Sequence, residues 1–142
     1  MKSTPIVVEA IYRAAISVVW SAISDHTEMK KWYFDLQTFE PIPGFKFQFY
    51  AGSEGNQFLH LCEVTESIPN KRLTYSWKYD GYPGESLVTF ELFEEGEHTR
   101  LKLTHTGLET FPQDQSDFAK ENFEAGWKEI IGKNLKEYVE NL

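Results

Sequence analysis

Cysteine is nearly absent: Cys62 is the only one among 142 residues. A lone thiol excludes an internal disulfide and a cysteine-based metal cage. A reducing compartment, the cytoplasm, is the expected setting. Basic residues are also scarce. Fourteen Lys and Arg stand against 22 Asp and Glu, a formal net charge of −8. That balance repels a polyanion and no basic block offsets it, so no nucleic-acid partner is expected. Long apolar runs are missing. The longest are fragments such as Ile6-Val7-Val8, far short of a membrane span. Glu9 falls where a signal peptide would need its apolar region, so no secretory leader is expected. Signature motifs are missing too: there is no GxSxG, HExxH, GxGxxG or Walker loop. The four histidines, His26, His60, His98 and His105, have no spacing that makes a metal pair. No metal and no cofactor are therefore expected.

Aromatic residues are what the chain has in excess. Phe 11, Tyr 7 and Trp 4 make up 15% of it. Its length fits one domain over residues 1–142, large enough for an ordinary apolar core. In such a domain the rings either form a bulky core or line a ligand cavity.

The order of elements follows from period. Residues 6–13 read as a β-branched strand. Val19, Trp20 and Ile23 share a helical face within Ser17–Ile23. Asp25 is placed to cap a second short helix, Thr27–Trp32. Phe45, Phe47 and Phe49 alternate with polar residues on a strand that starts at Gly44. A turn at 52–56 leads into a long strand, Gln57–Ile68, ended by Pro69-Asn70. Leu73, Tyr75, Trp77 and Tyr79 alternate next, then Val88, Phe90 and Leu92, then Leu101, Leu103 and His105. The connections are too short for crossover helices, so the strands form an antiparallel meander. Residues 106–115 read as a loop and 116–142 as one helix. Its apolar stripe carries Phe123, Trp127, Ile130, Ile131, Asn134, Leu135, Tyr138 and Leu142. The polar side offers i, i+4 ion pairs such as Glu129 with Lys133. The fold class is α+β: a curved antiparallel sheet, two short helices after the first strand, and a long C-terminal helix across the concave face.

These pieces resemble a known family. They are Ala14 with Val19-Trp20, Lys31-Trp32, Pro43-Gly44-Phe45-Lys46-Phe47, Val64 to Pro69 followed by Arg72 to Trp77, Val88-Thr89-Phe90, Thr99 to Gly107, and Gly126-Trp127. In order and spacing the chain is similar to the activator-of-Hsp90-ATPase-like family of the START-like (SRPBCC) helix-grip superfamily. Two positions depart from the family pattern: Ala15 stands where a proline is common, and Gly44 stands alone where glycines are often paired. The resemblance implies a helix-grip fold, which commonly encloses a hydrophobic pocket. It also implies chaperone contact. The eukaryotic activator, however, makes much of that contact through an additional N-terminal domain, for which 142 residues leave no room.

Three functions follow as expectations. The first is binding of a small hydrophobic or aromatic molecule by Phe47, Phe49, Tyr75, Trp77, Phe90, Phe123, Trp127 and Ile130. Glu66, His105 and Asn134 would orient its polar end, and the 106–115 loop would be the gate. Glu66 is assigned inward because it shares a strand parity with Val64 and Ile68. The second is a polyketide-cyclase-like enzyme with His105 and Glu66 as acid and base. The third is a chaperone-associated domain using acidic residues such as Glu91, Glu94 and Glu95. His60 and Cys62, two apart on a strand, are not read as an activated nucleophile: Cys62 is expected to be a small core residue and His60 to lie nearer the sheet's edge.

Overall fold

A computed structural model of the chain describes residues 4–53, 56–114 and 118–142. Six strands form one antiparallel sheet: β1 (Ile6–Tyr12), β2 (Lys46–Ser53), β3 (Asn56–Ile68), β4 (Arg72–Tyr79), β5 (Ser86–Glu95) and β6 (His98–Thr106). Their spatial order is β1-β6-β5-β4-β3-β2. Strands β2 to β6 are thus a simple meander, and β1 closes on β6. Helices α1 (Ile16–Ser24) and α2 (His26–Trp32) follow β1. The Asp25 carboxylate accepts the Glu28 backbone N–H at 3.1 Å, the cap that the sequence predicts.

Period 2 carries the burial of the sheet. In β6, Leu101, Leu103 and His105 are buried while Arg100, Lys102 and Thr104 are not. The buried set faces the C-terminal helical segment, which begins at Lys120. The turn expected at 52–56 falls, at 54 and 55, outside the described residues. Residues 115–117, where the loop was expected to end and the last helix to begin, lie outside them too. No helix among the described residues is long and apolar enough to cross a membrane.

Two irregularities change the faces that parity and period assign. The first is in β3. Val64 pairs with Tyr75 but Glu66 pairs with Thr74, so the register shifts at Thr65. A bulge inserts one residue and turns every later side chain to the other face. Ser67, not Glu66, now stands opposite the buried Leu73.

The second is in the C-terminal helix. Helix α3 (Lys120–Glu129) passes into a π segment, Ile130–Asn134, before α4 (Leu135–Glu140). The Tyr12 hydroxyl donates to the Ile131 carbonyl at 2.7 Å, inside this wider turn. The buried residues are Trp127, Ile131, Leu135 and Val139. Leu142, expected on the apolar stripe, is exposed, and Val139 takes the inward position. Ion pairs form at Glu124–Lys128 (3.8 Å) and Lys136–Glu140 (2.9 Å), within the α-helical parts. Glu129 and Lys133 do not pair, because the π segment separates them by other than one α-turn.

Candidate functional site

The space between sheet and helix is filled at one end and open at the other. At the filled end, Phe47 packs edge-on against Phe39 and Tyr75, both with ring centroids at 5.0 Å. The Tyr75 and Tyr33 hydroxyls share a hydrogen bond of 2.5 Å. Phe90 lies against Tyr75 and Trp127. Phe49 stacks with both Phe34 and His60, at 4.6 and 4.5 Å. Phe47, Phe49, Tyr75 and Phe90, four of the expected ligand contacts, are therefore packed in the core behind the open space.

At the open end is a pocket of about 700 Å³, within the usual range for small-molecule sites. One wall is the sheet, through Phe58, His60, Trp77 and Tyr79. The other is the helix, through Phe123, Trp127, Ile130 and Asn134. Phe34 and Phe118 close the sides. Ala51, Gly52, Asn122, Gly126 and Glu129 complete the lining. A Cβ added at Gly126 would meet nothing within 4 Å, so this helix position borders open space. Trp77, Phe123, Trp127, Ile130 and Asn134 are the expected residues that the fold brings to this pocket.

His105 and Glu66 do not join them. His105 is fully buried behind the two tryptophans. Its Nδ1 accepts the Trp127 indole N–H at 3.0 Å. An indole nitrogen is only a donor, so Nδ1 carries no proton and Nε2 carries one. Nε2–H then donates to Ser86 Oγ at 2.8 Å, and Ser86 donates to the Trp77 carbonyl at 2.9 Å. Burial holds the His105 pKa down at about 3. Both ring nitrogens are engaged, so His105 ties helix to sheet. Glu66 sits on the outer face because of the bulge at Thr65. There it is half-exposed and pairs with Arg72 at 3.3 Å, which also reaches Glu91 at 3.4 Å. The acid–base pair expected from these two residues is not assembled.

Other groups are fixed by burial, and His60, expected nearer the sheet's edge, is as buried as Cys62 because rings of neighbouring strands cover it. His60 is held at a pKa of about 4 by desolvation among its rings. Its Nδ1 bonds the Phe58 carbonyl at 3.0 Å. The Cys62 thiol is buried and its pKa is pushed up, so the thiolate needed for nucleophilic chemistry is disfavoured. The expected gate is pinned over its first half. Thr110 Oγ1 accepts the Glu85 N–H at 2.9 Å and bonds the Gly107 carbonyl at 2.7 Å. Gly84, at φ +106°, approaches so closely that a Cβ would lie 2.5 Å from the Thr110 carbonyl oxygen.

Reading by period missed several lining residues. Phe58 and His60 share the inward parity of Cys62 and Val64, and Tyr79 ends the inward series of Leu73, Tyr75 and Trp77. That parity was the available signal. Phe34 follows α2 in irregular chain and carries no periodic signal.

Comparison with known proteins gives the following. The family model described as Activator of Hsp90 ATPase homolog 1-like protein matches residues 13–140. A comparison with curated proteins finds no match. Among solved structures, protein CV1439 from Chromobacterium violaceum is similar at a TM-score of 0.81 and 20% identity, with 96% of each chain covered. CalU16 from Micromonospora echinospora is similar at 0.71 and 25% identity, over 95% of this chain and 75% of that one. DynU16, from the dynemicin biosynthetic locus, is similar at 0.77 and 22% identity, over 97% of this chain but 48% of that one.

Proposed function

The chain belongs to the Activator of Hsp90 ATPase homolog 1-like family, and on that footing we propose that it binds a small hydrophobic molecule between sheet and C-terminal helix. The observation that carries this reading is the open pocket of about 700 Å³ lined by rings of both walls. A core built only for stability closes such space, because interiors are packed to crystal-like density. Here the filled end shows that the chain packs rings tightly, while the end beside Gly126 is left open. An apolar ligand gains roughly 25 cal/mol for each Å² of apolar surface it buries. The rings supply that surface, and Tyr79, His60 and Asn134 supply a few polar atoms to orient the ligand. Binding, in this reading, is the activity; the hydrogen bonds that hold His105 and the outward turn of Glu66 leave the cyclase-like alternative without its acid and base.

The test is native mass spectrometry of the freshly purified protein, with organic extraction of whatever is released. The wild-type protein should carry one small apolar molecule at fixed stoichiometry. Gly126→Phe, whose ring enters the mouth without meeting other atoms at Cβ, should be free of it while keeping its urea midpoint. Equal retention by both proteins places the molecule elsewhere and overturns the reading.

A further inference from the structure

The pocket wall has a distinct charge character. Among the described lining residues there is no Lys and no Arg. His60 is wedged against Phe49 at 4.5 Å and against the edge of Trp77 at 4.8 Å, with Nδ1 committed to a backbone carbonyl. The one charged side chain is the exposed Glu129. An anion entering this space meets no counter-charge and passes a carboxylate on the way.

The wall also has a fixed hydrogen-bond polarity. The Trp77 indole N–H donates to the Tyr79 hydroxyl oxygen at 2.9 Å. Tyr79 therefore uses one acceptor position on its neighbour and keeps its own O–H. That proton makes no hydrogen bond to a described residue. Accepting a hydrogen bond makes a hydroxyl a better donor. The ring itself is held by Phe118, stacked at 4.6 Å, and by the edge of Phe111 at 5.2 Å, so the hydroxyl oxygen is fixed in place. Asn134, on the helix side, has no hydrogen-bond partner among the described residues either, and it offers both a donor and an acceptor.

Resting on the binding reading above, we infer that the pocket selects uncharged aromatic molecules that present a hydrogen-bond acceptor to the Tyr79 hydroxyl, and that it excludes anions such as carboxylates and sulfonates. Tyr79 is then the residue that determines specificity, and the lack of a cation in the wall is what rejects charge.

Three dyes test this with the whole chain. N-phenyl-1-naphthylamine and 8-anilinonaphthalene-1-sulfonate share one skeleton and differ by a sulfonate beside both rings, which cannot stay outside while the rings enter. Prodan is uncharged and carries a ketone whose emission moves to the red when it accepts a hydrogen bond. The uncharged amine should bind. The sulfonate, read by its displacement of the amine so that surface binding is not counted, should be at least about 30-fold weaker, since an uncompensated ion loses its hydration without return. Glu129→Lys should narrow that ratio by roughly five- to tenfold. Prodan should bind with red-shifted emission, and Tyr79→Phe should shift it to the blue and weaken it about tenfold, the effect of one lost hydrogen bond, with a clearly smaller effect on the amine, which offers no ketone. Sulfonate affinity within threefold of the amine overturns the charge selection, and this arm needs no variant. Prodan emission and affinity that are the same in Tyr79→Phe overturn the role of Tyr79. Failure of both uncharged dyes to bind overturns the binding reading itself.

Discussion

Acid should unfold this protein through two histidines. His60 and His105 are both buried and neutral, with pKa values lowered by desolvation to about 4 and about 3. In the unfolded chain an imidazole titrates near its ordinary value of about 6.5. Unfolding therefore takes up a proton at each site over the interval between the two values. A group with a depressed folded pKa contributes stability that is complete above the unfolded value and is lost as pH falls toward the folded one. Each such proton contributes a slope of about 1.4 kcal/mol per pH unit, and the two together about 2.7. Between pH 7 and pH 5 the loss amounts to about 4 kcal/mol, a large share of the 5–15 kcal/mol typical of small domains. The assay is urea unfolding followed by tryptophan fluorescence at both pH values. His60→Gln and His105→Gln should each remove about half of the pH dependence. A wild-type loss below about 2 kcal/mol refutes the reasoning, because at most one imidazole then stays neutral in the fold. Glu140 acts in a lower window that overlaps only the acid end of this one. Its pKa is held at about 2, chiefly by the Arg13 backbone N–H and then by Lys136, so its contribution is lost only below the usual carboxylate range.

Two further substitutions probe the frame of the pocket. Tyr12→Phe removes the hydroxyl that bonds the Ile131 carbonyl and should cost about 1–2 kcal/mol in urea unfolding; no change would mean that the bond does not hold the π segment. Gly84→Ala forces a Cβ to within 2.5 Å of the Thr110 carbonyl oxygen at φ +106° and should cost about 2–3 kcal/mol, whereas Gly126→Ala, which meets nothing, should gain about 0.5–1 kcal/mol; a tolerated Gly84→Ala would refute the tight joining of the two loops.

The sheet was legible because its strands keep period 2 with short turns between them. The alternation of Leu101, Leu103 and His105 with Arg100, Lys102 and Thr104 admits one reading. Glu66 was misplaced because parity is a running count, and one extra residue at Thr65 resets it. A bulge leaves no composition mark, so the count alone could not reveal it. The helix did carry a mark. Trp127, Ile131, Leu135 and Val139 recur every four residues. A regular α-helix would have rotated such a row by about 120° from first to last, and the wider π turn returns much of that rotation. A strict interval of four was thus the signal for the π segment and for Val139 facing inward. The candidate site was half legible. Trp77 and Trp127 follow from period, but whether the rings close on one another depends on rotamers and on Phe34, which lies outside any regular element.

The bonds from Trp127 through His105 and Ser86 end at the Trp77 main-chain carbonyl, and a separate bond runs from the Trp77 indole to Tyr79. A proton wire must be able to reverse, each link passing from donor to acceptor in turn. Indole nitrogens have no acceptor state, and one stands at the start of each series. The wall of the pocket can present a proton to whatever sits beside Tyr79, and it has no means to supply another from behind.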